Sequence, residues 1–109
     1  MLFMSWINLL IAAIFEIGWP VGLKMAQTPT PEKFLWIIFA ITTMTLSGVF
    51  LFLAQKEIPV GVAYAVWTGI GTIGTFYIGV MFFNDALTLI RTLGILLILS
   101  GVILLKIGH

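Results

Sequence analysis

The sequence predicts an all-α membrane protein with four transmembrane helices, and three observations support this prediction. Hydrophobic residues make up 61% of the 109-residue chain and charged residues only 8%, whereas a soluble domain is nearer half apolar and a quarter charged. Four apolar runs each reach the roughly 20 residues that a spanning helix needs. Segments such as GILLILSGVILL are apolar on every face, which favours helices over the alternating strands of a β-barrel.

The four spans make residues 1–109 a single transmembrane domain with almost nothing left for a soluble one. The first span covers about 5–25 and ends at AQTPTPEK, and the second covers about 34–54 and ends at QKEIP. The third covers about 60–83 and ends at FND, and the fourth covers about 87–107. No basic residue precedes the first run and no small-residue cleavage site follows it, so we expect a mature helix rather than a signal peptide.

The composition excludes several classes of site and partner. The chain has no cysteine, which excludes disulfides and thiolate metal sites. Its one histidine, His109, is terminal, so the sequence predicts no metal site and no cofactor. A net charge of +1 is too small to indicate a nucleic-acid partner.

The charges that flank the spans do not fix one orientation in the membrane. Lys56 and Lys106 fall on one side, and Lys24, Lys33 and Arg91 fall on the other. The positive-inside rule therefore compares two residues with three, which does not decide the orientation. Two interpretations remain open: a weak bias towards one orientation, or dual topology, in which copies insert both ways and pair antiparallel.

Glu16 is a carboxylate near the middle of the first span. An ionised carboxylate there costs about 3 kcal/mol on insertion scales, and such residues usually mark ion or proton pathways. Lys24 lies about 12 Å further along the helix axis, so no basic residue in a span centre can pair with Glu16. The sequence predicts a site that binds a proton or a cation in competition; a structural hydrogen bond is the alternative. The other acids are expected to be ordinary solvated charges: Glu32, Glu57 and Asp85.

Trp19 and Pro20 follow Glu16 within about one helical turn. Trp19 shares the face of Glu16, so its indole can stack on a flat cation or donate its N–H to the carboxylate. An ordinary packing aromatic is the alternative. Pro20 removes the N–H that would bond the Glu16 carbonyl, which indicates either a tolerated kink or a freed carbonyl near the charge.

The third span, IPVGVAYAVWTGIGTIGTFYIG, combines aromatic and small residues. Tyr64 and Trp67 share a face and, beside a carboxylate, resemble the aromatic surroundings that proteins use for organic cations. Interfacial belt aromatics are the alternative. Gly69 and Gly71 lower helix propensity by roughly 1 kcal/mol each, so they indicate either close helix packing or a hinge.

The second and fourth spans add hydroxyls and a stripe of small residues. One hydroxyl of TTMTLSG could orient Glu16 across a helix interface, although hydroxyls often bond their own helix instead. The candidates are Thr42, Thr43, Thr45 and Ser47. Gly94 and Gly101 share one face of the fourth span. Because four short helices can hardly enclose a hydrated site, a second copy that contacts this stripe would supply the missing wall.

The whole chain resembles the small multidrug resistance transporters. The match is carried by IFEIGWPVGLK, IPVGVAYAVWTGIGTIG, FFNDALTLIR and GILLILSGV. Glu16 with Trp19 and the pair Leu23 and Lys24 resembles the guanidinium-exporter subtype, since the quaternary-ammonium exporters usually lack that tryptophan. Four features depart from the pattern: Pro20, Val62 in place of a common threonine, NDAL in place of a more usual glutamate-proline sequence, and the TPTPEK loop.

The resemblance implies a proton-coupled antiporter, not an enzyme, that exports guanidinium or small guanidinyl cations by alternating access. It also implies an antiparallel homodimer in the bacterial inner membrane. It assigns the substrate and proton site to Glu16, Trp19, Ser47, Tyr64 and Trp67, the bend to Gly69 and Gly71, and the dimer contact to Gly94 and Gly101. The alternatives are a broader exporter of hydrophobic quaternary ammonium cations and a non-transporting partner subunit of a membrane complex.

Overall fold

The computed structural model describes residues 2–108, so His109 lies outside the described residues. Four α-helices fill this range: α1 (Leu2–Gln27), α2 (Lys33–Ala54), α3 (Val60–Phe82) and α4 (Leu89–Gly108). Each helix is long and apolar enough to cross a membrane. The predicted all-α class with four membrane-spanning helices is therefore confirmed. The residues that lie inside the bilayer, and the antiparallel homodimer, stay predictions.

The helix α1 continues through Pro20 without interruption and ends at Gln27. Pro20 has no N–H, so the carbonyl of Glu16 lacks its usual partner within the helix. After the last turn, the backbone N–H and the hydroxyl of Thr28 both bond the carbonyl of Met25, at 3.1 Å and 2.6 Å. Pro20 therefore lies inside α1, one turn after Glu16, without interrupting the helix.

A tight turn ends α3 and leads into α4. Asn84 has a φ of 56°, a left-handed conformation that asparagine adopts more readily than most residues. The N–H groups of Phe83 and Asp85 both donate to the carbonyl of Gly79, at 3.0 Å and 3.1 Å. The chain then stays non-helical until Leu89. This turn brings the NDAL segment back over the end of α3.

The four helices form a thin layer with extents of 44 × 34 × 16 Å. The helix α1 packs on α2 and α3, whereas the backbone of α4 approaches α3 alone within residues 2–108. The buried core lies where the start of α1 meets the end of α2 and the start of α3. Its members are Trp6, Leu9, Ala54, Ile58, Ala63 and Val66. None of the described residues of α4 is buried, so this helix presents an open apolar surface.

Small residues set how closely the helices approach on either side of Glu16. At Gly18, a Cβ atom would lie 3.0 Å from Cγ2 of Thr43 on α2. At Gly74 of α3, the space of a side chain is filled by Ile17 of α1. Because α2 and α3 both close on α1 at this level, Glu16 lies where three helices meet.

Candidate functional site

One oxygen of the Glu16 carboxylate is held by the protein and the other is left open. The indole Nε1 of Trp19 donates to Glu16 Oε1 at 2.7 Å, as the spacing of the two residues allows. The hydroxyl of Ser47 on α2 lies 3.5 Å from the same oxygen. No group within residues 2–108 donates a hydrogen bond to Glu16 Oε2. The hydrogen bond to Oε1 therefore orients the carboxylate, and Oε2 is available to a ligand.

Ser47 connects the three helices around Glu16. Its hydroxyl is fully buried and donates to the carbonyl of Ala12 on α1 at 2.7 Å. It accepts a hydrogen bond of 2.7 Å from Nε1 of Trp67 on α3. A hydroxyl has one proton, so the bond to Ala12 leaves only a weak contact with Glu16 at 3.5 Å. Ser47 acts mainly as a fixed neighbour of the carboxylate.

Tyr64 joins the other predicted site residues through a ring contact. The centroids of the Tyr64 and Trp67 rings are 5.4 Å apart, and the ring planes are inclined by 50°. Tyr64 is 56% exposed and, among the described residues, forms no hydrogen bond with Glu16, so it lies at the margin of the cluster. The structure thus joins Trp19 to Glu16 and Trp67 to Ser47 by hydrogen bonds, and a weak 3.5 Å contact between Ser47 and Glu16 brings the two pairs together. Tyr64 lies beside them.

A groove of about 450 Å³ runs between α1 and α3 beside Glu16. Its lining residues are Glu16, Pro20, Thr68, Gly71, Thr72, Thr75, Phe76 and Asp85. The three threonines follow an i, i+4, i+7 pattern, which places them on one face of α3. Thr68 and Thr72 donate their hydroxyls to carbonyls of their own helix, at 2.8 Å and 2.7 Å. Their oxygens nevertheless make this wall of the groove polar.

Sequence reasoning missed the groove and the part that Asp85 plays in it. Asp85 is exposed, as expected of a loop acid, but it lines the same groove as Glu16. The spacing of the threonines on α3 could have predicted one wall of the groove. No periodic pattern could have found Asp85, because the non-helical turn at Asn84 brings it there.

The two glycines predicted as a hinge both occupy close contacts. A Cβ atom at Gly71 would lie 2.7 Å from Cγ of Glu16. A Cβ atom at Gly69 would lie 2.5 Å from Cγ2 of Val102 on α4. Both positions are therefore needed for packing, and their hinge role stays a prediction.

The predicted dimer contact is open. Apart from the neighbouring backbone of α4 itself, no described atom lies within 4 Å of a Cβ atom built at Gly94 or at Gly101. Among residues 2–108, no three His, Cys, Asp or Glu residues lie close enough to hold a metal ion. The site that remains is a carboxylate, two indoles and a polar groove.

Comparison with known proteins places the chain in a family. The family model for the Small Multidrug Resistance protein matches residues 4–98. A relative named Guanidinium exporter, from Salmonella typhimurium, is 42% identical over 105 residues and covers 96% of this chain and 98% of its own. Relatives of the same name from Yersinia pestis and Escherichia coli (strain K12) are 40% and 39% identical, again over 96% of this chain. The matching regions cover 99% and 98% of the lengths of these two relatives.

The membrane location follows from the helices and the relatives together. Four helices are long and apolar enough to cross a membrane, and these relatives come from bacteria. The protein is an integral protein of the bacterial inner membrane. The sequence match over 4–98, the near-complete coverage and the four-helix fold lead to one conclusion: the chain belongs to the small multidrug resistance family.

Proposed function

We propose that the chain is a proton-coupled antiporter that exports guanidinium or small guanidinyl cations. The observation that carries this proposal is the Glu16 carboxylate, with Oε1 held by Trp19 at 2.7 Å and with its side chain lining a groove of about 450 Å³. The relatives named Guanidinium exporter support this choice of cation. The mechanism involves binding and proton exchange without any covalent step.

The Glu16 carboxylate suits a flat cation with paired donors, because Oε2 is open and Oε1 keeps a second lone pair beside the bond from Trp19. Guanidinium is planar and presents N–H groups in a fork that matches a carboxylate, and charge-assisted hydrogen bonds of this kind are about twice as strong as neutral ones. The Trp19 indole fixes the carboxylate while the ion binds. Protonation of Glu16 removes the negative charge and releases the cation. Because the proton and the cation need the same carboxylate, one crosses the membrane in exchange for the other.

A second, antiparallel copy is part of the proposal. The chain is only 16 Å thick in its shortest direction, and the groove beside Glu16 opens at the surface. The helix α4 has no buried residue within the described part, and Gly94 and Gly101 are open to a partner. A second copy packed on α4 would supply another Glu16 and close the groove. Alternating access then consists of a rocking motion in which the two copies exchange conformations.

Pro20 favours a second candidate substrate, the hydrophobic quaternary ammonium cations. This residue lines the groove one turn after Glu16, where the guanidinium subtype usually has a residue other than proline. The groove of about 450 Å³ has room for a cation larger than guanidinium. The experiment must therefore distinguish a guanidinium exporter from a broader exporter of quaternary ammonium cations.

Purified protein in proteoliposomes tests the substrate. We expect an imposed pH gradient to drive guanidinium across the membrane in the direction opposite to the protons. Guanidinium binding should also release protons, because the two compete for Glu16. Tetraethylammonium is the matched bulky probe. Movement of tetraethylammonium alone would contradict the guanidinium assignment. Movement of neither cation by the chain alone would favour the non-transporting partner subunit.

A double substitution separates the packing role of Gly69 from a hinge. Gly69→Ala places a methyl group against Val102, and overpacking of this kind costs about 1–3 kcal/mol. We expect both the unfolding midpoint in detergent and guanidinium exchange to fall. Val102→Ala removes the opposing methyl groups, so the double variant is expected to recover both, with Val102→Ala alone as the control. Recovery of stability without recovery of exchange would show that Gly69 is needed as a hinge.

A further inference from the structure

We propose that Asp85 is a second cation-binding carboxylate, which captures the organic cation at the outer end of the groove before it reaches Glu16. This inference rests on the proposed function and adds a residue to its binding route. Asp85 and Glu16 line the same groove although they are far apart in the sequence.

Asp85 lies at the solvent end of that groove. The lining residues on α3 run from Thr68 through Thr72 to Thr75, and Asp85 follows the end of the helix. Thr75 lies seven positions after Thr68, or about 10 Å along the helix. Glu16 and Gly71 contact each other midway along this wall, and Asp85 is exposed. A cation that enters from solvent at this end meets Asp85 first and the threonine oxygens next.

The turn after α3 fixes the position of this carboxylate. Asn84 has a positive φ, and the N–H of Asp85 donates to the carbonyl of Gly79 at 3.1 Å. Oδ2 of Asp85 occupies the space that a side chain at Gly79 would fill. Backbone and carboxylate of Asp85 therefore both rest on Gly79, which holds the charge over the end of the groove.

The charge of Asp85 is available to a ligand. Within residues 2–108 no side chain donates a hydrogen bond to its carboxylate and no lysine or arginine forms an ion pair with it. The guanidinium of Arg91 donates instead to the carbonyl of Ala86 at 3.0 Å. Lys24 lines an adjoining cavity of about 210 Å³ that also includes Asp85. Among the described residues, the lining of the groove itself has two carboxylates and no basic residue.

Two carboxylates along one groove raise the local concentration of a cation. Low-dielectric walls focus the field of charges that line a cleft, and this speeds the arrival of oppositely charged ligands. Asp85 would bind the incoming cation first, and Glu16 would exchange that cation for a proton. Its loss is therefore expected to raise KM and to leave the maximal rate unchanged, as for interactions that serve binding alone.

The test compares Asp85→Asn with Glu32→Gln in guanidinium uptake by proteoliposomes. Glu32 is the matched control, because four spans put the first and third loops on the same side and Glu32 lines no part of the groove. At low salt we expect Asp85→Asn to raise KM roughly 3- to 10-fold. The difference should shrink in about 1 M salt, where the screening length falls to about 3 Å. Asp85→Glu, which keeps the charge, is expected to restore most of the affinity.

Three results would overturn the role of Asp85. They are a KM equal to that of Glu32→Gln at low salt, a KM increase that does not respond to salt, and a lower maximal rate with KM unchanged. The proposed function is judged separately, by whether the wild-type protein carries guanidinium at all. If it carries only tetraethylammonium, the guanidinium assignment fails, and the same comparison made with tetraethylammonium decides the role of Asp85.

Discussion

Glu16→Gln is expected to abolish pH-driven cation exchange. Glutamine has nearly the shape of glutamate and its carbonyl oxygen can still accept the 2.7 Å hydrogen bond from Trp19. It has no charge to hold a cation and no proton to exchange. Loss of one partner of a buried ion pair costs about 3–5 kcal/mol, and 1.4 kcal/mol is a factor of ten. Guanidinium uptake into proteoliposomes should therefore fall by at least about 100-fold.

Two variants control this experiment. Glu32→Gln removes a carboxylate from a loop outside the groove and is expected to transport like the wild-type protein. Glu16→Asp keeps the charge on a shorter side chain and is expected to retain proton exchange with weaker cation binding. If a pH gradient still drove uptake in Glu16→Gln, another group would have to couple the proton to the cation, and the proposed mechanism would be wrong.

The fold class was accessible from the sequence because the bilayer constrains it so strongly. A chain that must satisfy every backbone polar group inside lipid has helices as its main solution, and their number follows from the apolar runs. The bond between Trp19 and Glu16 was also accessible, since residues three apart on a helix are neighbours. Both inferences need only local geometry.

Contacts between helices were not accessible in the same way. The sequence offered four hydroxyls in TTMTLSG, and local geometry alone did not decide among them. In the structure Thr43 and Thr45 bond carbonyls of their own helix, and Ser47 faces α1 and α3. That choice depends on how α2 is rotated against its neighbours. The position of Asp85 depends likewise on a single left-handed residue in a turn, Asn84.

The second large effect is expected from Gly71→Ala. A Cβ atom at Gly71 would lie 2.7 Å from Cγ of Glu16, which is closer than side chains normally approach. The colliding atoms are near the base of the Glu16 side chain, so the carboxylate must move or α1 and α3 must separate. If guanidinium binding must return the displaced carboxylate against this overpacking, which costs about 1–3 kcal/mol, binding weakens roughly 5- to 150-fold.

Gly48→Ala is the matched control for this substitution. Gly48 lies inside α2, and beyond the neighbouring backbone of its own helix no atom of residues 2–108 lies within 4 Å of a Cβ atom built there. Alanine favours the helix by roughly 1 kcal/mol relative to glycine, so this variant should be at least as stable as the wild-type protein and bind guanidinium equally well. Equilibrium binding and exchange rate together then identify the role of Gly71. Weak binding in Gly71→Ala indicates that this glycine makes room for Glu16. Normal binding with slow exchange would contradict that role and would show that α3 bends at Gly71 during transport.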